Sequence, residues 1–107
     1  MLTTFTTMSL IDHYTNVRHE LEAIEYSSDT SINELKQLIA DLIRYTKTTV
    51  NDEFVLMHLG LNMDILTDLD QRAGAIRKRE AFEECKKELH SDINTAITTY
   101  KIKLHSK

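Results

Sequence analysis

Proline and tryptophan are absent from the 107 residues, glycine occurs only at 60 and 74, and Cys85 is the sole cysteine. Folds built from strands and tight turns draw on glycine and proline, so their scarcity points to helices joined by polar loops. One cysteine excludes an internal disulfide and makes a reducing, cytoplasmic setting the expected home. Basic charge is also short: 13 Lys and Arg against 17 Asp and Glu give −4, with a pI near 5.7. A general nucleic-acid binder is normally basic, so no nucleic-acid partner is expected. No run approaches the ~20 apolar residues of a membrane span. The opening MLTTFTTMSLIDHY has no basic stretch before a sustained apolar run, so it does not read as a signal peptide.

With 41% hydrophobic and 28% charged residues, the composition is that of one ordinary globular domain. Residues 1–8 are Thr-rich and expected to be flexible, with a helical-bundle domain over 9–107. Ser9 and Asp12 have capping-box spacing, and Leu10, Tyr14, Val17, Leu21 and Ile24 then step by threes and fours. This predicts a first helix over 9–26. Ser27–Ser31 is the clearest linker, and Ser31 with Glu34 is a second capping box. Ile32, Leu35, Ile39, Leu42 and Thr46 form the seam of a helix over 31–49.

Phe54–Leu66 is the most apolar stretch, and as a helix it is greasy over most of its circumference. Such a helix is expected to be the most buried of its bundle. Its seam, Val55, Leu59, Asn62, Leu66, Leu69, Ala73 and Ile76, lies ~165° from the continuation of the preceding one. A reversal near 50–53 resolves the conflict and gives a third helix over 53–73. Phe82, Cys85, Leu89, Ile93, Ala96, Tyr100 and Leu104 make a last seam ~180° out of phase with the third. Gly74 is the expected C-cap between them, and the last helix runs 77–105. The expectation is an all-α, antiparallel up-down-up-down four-helix bundle. Its rival has three helices, with 52–105 continuous. The last helix, ~43 Å long at 1.5 Å per residue, overhangs its neighbours by about two turns.

Catalytic signatures are missing. Cys85 lies in an apolar seam, and Glu83, Glu84 and Glu88 raise rather than lower a thiol pKa. No G-x-S-x-G occurs. None of the five histidines follows a Glu by three positions, which di-metal bundles require. His13, His58, His90 and His105 have no His or acid at three or four positions, and His19 with Glu22 faces away from the seam. Arg77-Lys78-Arg79 is followed at once by Glu80, Glu83 and Glu84, which suits a solvated helix start, and Lys101, Lys103 and Lys107 suit a helix C-terminus. No enzyme activity and no cofactor or metal are therefore expected.

With Met8 near one end and His105 near the other, the chain resembles in layout the b-type cytochromes built as four-helix bundles. That resemblance implies axial Met and His ligands at one end of the bundle. By phase, Met8 lies ~160° and His105 ~150° from their seams. His58 sits ~45° off the seam of the apolar helix, as a boundary histidine.

Tyr26, Leu56, Met57 and Ile102 fall off their seams and are expected to be exposed. A patch of Leu56, Met57, Leu61, Met63 and Ile102 would form a docking or dimer surface, with methionine adapting to varied shapes. The expected function is a non-enzymatic protein-binding module (adaptor, chaperone, inhibitor or assembly subunit). Its partner is another protein or a second copy of the chain as a homodimer. The alternative is a ligand- or haem-carrying bundle with Met8, His58 or His105 as ligands.

Overall fold

The computed structural model describes residues 4–69 and 72–105. Among them the only regular secondary structure is helical: α1 (Thr4–Ala23), α2 (Asp29–Thr49), α3 (Glu53–Thr67) and α4 (Ala75–His105) form a compact four-helix bundle. The end of α3 at Thr67, with 68–69 and 72–74 outside any helix, rules out the continuous third helix of the three-helix arrangement.

The termini of the helices differ from the sequence reading for local reasons. α1 begins at Thr4, so Ser9 is inside the helix rather than at its cap; residues 1–3 of the expected flexible start lie outside the described residues. α1 stops at Ala23, not at 26, where Ile24 N–H donates to Leu21 O at 3.2 Å in a tightened turn. Lys86 of α4 then donates through Nζ to the carbonyls of Ile24 (2.6 Å) and Glu22 (3.4 Å), covering acceptors that a helix end leaves open. The N-cap of α2 is Ser28, in extended backbone, whose Oγ accepts from Thr30 N–H; Ser31 is buried and accepts from Ser27 N–H at 2.8 Å. At the next reversal Asn51 takes φ 49°, and Asp52 caps α3 by accepting from Phe54 and Val55 N–H. This is the predicted turn at 50–53.

α3 ends at Thr67, six residues before 73; positions 70 and 71 of that expected helix lie outside the described residues. Asp68 N–H closes the last turn on Asp64 O, and Leu69 folds back against the core. Gly74 therefore does not cap α3. Its carbonyl accepts from Lys78 N–H at 3.1 Å in the first turn of α4, two residues before the predicted start at 77. Ile76, assigned by spacing to the third seam, lies on that first turn and is exposed.

α4 is the central element. Its packing is the most extensive, chiefly against α1 and α3 and less against α2, which also meets all three others; among the described residues α1 and α3 do not meet. Arg18–Asn94 at 2.7 Å and the Tyr14–Tyr100 stack set an antiparallel α1/α4 register. The early start of α1 therefore lays its first turns beside the C-terminal turns of α4, where the sequence implied an overhang. The core contains Leu10, Leu21, Leu35, Ile39, Leu59, Phe82 and Leu89, all predicted seam positions.

α3 is not the most buried helix. Only Val55, Leu59, Asn62 and Leu66 are buried, because its neighbours α2 and α4 cover one side. Asn62 is 2% exposed; its Nδ2 donates to His58 O, while Oδ1 has no protein partner. An unsatisfied buried acceptor costs about 1–3 kcal/mol. Leucine has the same branching, so Asn62→Leu is expected to raise stability by ~1–2 kcal/mol, read as a higher urea midpoint. A lower midpoint would show that Oδ1 is satisfied in solution.

Candidate functional site

The outer face of α3 carries Phe54, Met57, Leu61 and Ile65, spaced by three, four and four residues. That spacing keeps them in one stripe. They are 57, 55, 54 and 47% exposed, although each is a large apolar side chain that would ordinarily be covered. The stripe exists because the helix is apolar nearly all round while the bundle has neighbours for one side only.

Of the residues proposed from sequence, Met57 and Leu61 belong to this stripe. Leu56 is half-buried rather than exposed, and Met63 is half-buried against the core. Ile102 is exposed on α4 in a separate shallow patch with Thr98, Lys101 and His105. Tyr26, also expected at the surface, is half-buried on Phe82 with ring centroids 5.6 Å apart. Phe54 and Ile65 were missed. Their signal was present as the 3-4-4 spacing opposite the seam, but a buried third helix left it without meaning.

The stripe borders a cleft of about 220 Å³ between the start of α3 and α4, lined by Phe54, His58, Asp92 and Thr95 among others. His58 Nδ1 stands 3.5 Å from Asp92 Oδ2, and the Phe54 ring lies 4.4 Å from the imidazole. Burial pushes the Asp92 carboxyl up from its ordinary range, and the His58 charge opposes this. A second histidine, His90, stands 3.4 Å from Glu22 of α1. Both pairs cross between helices, so a search within one helix could not find them. His19 and Glu22, at 3.5 Å, form the exposed pair that the sequence suggested.

Behind α3, four polar side chains from all four helices or their caps join the bundle together. Tyr14 Oη and Thr46 Oγ1 share a hydrogen bond of 2.6 Å, and Tyr100 Oη donates to Asp52 Oδ2 at 3.2 Å. The Tyr14 and Tyr100 rings stack at 5.6 Å. Asp52 is also the cap of α3, so this cluster fixes where the stripe begins. Desolvation raises the pKa of both phenols.

Cys85 is buried, donating weakly to Asn62 O at 3.9 Å, and burial with Glu88 and Glu84 nearby pushes its thiol up to about 11. That is the opposite of an activated nucleophile. Among the described residues no three His, Cys, Asp or Glu side chains are grouped to hold a metal ion. Met8 and His105 are both exposed, while Tyr14 and Tyr100 fill the interior near that end; Lys107 lies outside the described residues. No described helix is long and apolar enough to cross a membrane. Compared with known proteins, the chain matches no family model, no curated protein and no solved structure.

Proposed function

We propose that the protein is a non-enzymatic binding module that docks another protein on the outer face of α3. The observation that carries this reading is the stripe of Phe54, Met57, Leu61 and Ile65, each about half exposed on a rigid helix. A contiguous apolar stripe is stable in water only at a cost, which a docked helix or sheet removes. Because the four side chains project from one helix anchored by its Asp52 cap, the surface is organised before binding, which lowers the entropy lost on association.

A photo-cross-linking residue placed at Leu61 tests the reading in cells that make the protein, with one at exposed Glu34 of α2 as control. The expected result is a discrete adduct from position 61 that Ile65→Glu abolishes and position 34 does not give. The same adducts from both positions would remove the support for an α3 docking face.

A further inference from the structure

The stripe does not stand in a neutral surround. No Lys or Arg occurs from residue 48 to 71, while Asp52, Glu53, Asp64, Asp68 and Asp70 all fall within that stretch. The adjoining edge of α4 is acidic too. Asp92 faces α3 through His58, and Glu88 and Glu84 follow on the same side of α4 at successive intervals of four. Both glutamates are close enough to Cys85 to raise its pKa, and Cys85 touches Asn62 of α3. The antiparallel register set by His58–Asp92 and Asn62–Cys85 therefore runs an acidic column of α4 beside Leu61 and Ile65. Of the nearby basic residues of α4, Lys86 binds the end of α1, and Lys87 lines a shallow depression with His90 and Asn94, which contact α1.

We infer that the α3/α4 face takes a basic amphipathic helix from a different protein, its apolar side on the Phe54–Ile65 stripe and its lysines or arginines against Glu84, Glu88 and Asp92. This inference rests on the docking role of α3 and adds the chemistry of the partner. Charge complementarity selects the occupant, since like charges across an interface are costly and opposite charges speed encounter. A second copy is disfavoured by the same rule. A two-fold interface sets one patch against itself, and with the α3 helices antiparallel the acidic α4 edges of the two copies would meet. The cleft at the start of the stripe suits one cationic anchor of the incoming helix, with the Phe54 ring on one side and the Asp92 carboxylate on the other.

Two synthetic helical peptides of about four turns (~15 residues) test this: one with leucines on one face flanked by lysines, and its twin with glutamate in place of every lysine. Binding to the full chain is followed by fluorescence anisotropy at low and physiological salt. The basic peptide is expected to bind at least roughly tenfold tighter than its twin, with the margin shrinking as salt rises. Leu61→Glu is expected to weaken the basic peptide at least roughly tenfold. The exposed pair Glu84→Lys with Glu88→Lys is expected to reverse the preference while circular dichroism stays unchanged. Equal affinity for both peptides, or binding of neither, overturns the charge-selected partner. So does a solution mass of twice 12.4 kDa that Leu61→Glu returns to one copy. Each of these outcomes leaves the docking role of α3 to be decided separately by the cross-link at position 61.

Discussion

Tyr14→Ala is expected to remove about 4 kcal/mol of unfolding free energy, in the middle of the range for an aromatic truncated in a core. The ring is fully buried between Tyr100 and Tyr45, at 5.6 and 6.2 Å, and its hydroxyl is hydrogen-bonded to the fully buried Thr46 Oγ1. Truncation opens a cavity and leaves that oxygen unpaired in one step. Domains of this kind have only about 5–15 kcal/mol in hand, so the variant should approach the threshold of folding at 37 °C. Tyr14→Phe keeps the ring and loses only the hydrogen bond, for an expected ~1–2 kcal/mol. Urea unfolding of the three proteins measures both steps. Equal effects of the two substitutions would show that the hydroxyl, not the ring, is what the bundle relies on.

Alkaline pH should unfold the protein through groups buried in their neutral forms. Cys85, Tyr14 and Tyr100 all have pKa values raised by burial, Cys85 from 9.0 to about 11. A thiol whose folded pKa is raised keeps its full contribution below pH 9, where both states are protonated. Above that the unfolded chain releases its proton first, and stability falls until the pH passes about 11. A shift of this size corresponds to ~3 kcal/mol lost across the window. The two phenols act in the same direction from pH 10 upward. Unfolding midpoints should therefore be level from pH 7 to 9 and then drop steeply. Cys85→Ala should delay the start of that drop, while phenolate absorbance from Tyr14 and Tyr100 should grow only together with unfolding. Phenolate absorbance appearing from those residues with helicity intact would mean that the cluster is open to solvent.

The fold was largely readable because seam positions depend on local periodicity. Leu10, Tyr14, Leu35, Ile39, Leu89 and Ile93 recur at three and four residues, and each is buried as that spacing implies. The phase jump between the second and third seams placed the reversal at 50–53, where Asn51 adopts positive φ and Asp52 caps the next helix. The second junction was less legible. Ala73-Gly74-Ala75-Ile76 is a weak breaker, and the actual end of α3 is set at Asp68 by a cap bond and by Leu69 turning onto the core. Helix ends lie where local preferences nearly balance, so a small tertiary gain moves them.

The candidate site divides in the same way. Met57 was identified because it stands off the seam, a property of spacing alone, and Leu61 was grouped with it on the same apolar helix. Leu56 and Met63 also stand off it, yet they are half-buried because they lie toward the covered side of α3. Phe54 and Ile65 gain their meaning only from the free side. His58 found Asp92, and His90 found Glu22, across helix boundaries that no spacing encodes.

The amino-acid order by itself determined that the chain is helical, which side of each helix is apolar, and that the region around α3 lacks basic charge. Those properties follow from periodicity and composition, which need no knowledge of neighbours. Only the tertiary structure decided which helix is central. α4 is the helix with the most extensive packing, chiefly against α1 and α3, while α3, the more apolar one, meets only α2 and α4. The reason is geometric: a helix can be apolar all round, but what it buries depends on how many neighbours reach it. In α3 the uncovered remainder is the stripe from Phe54 to Ile65.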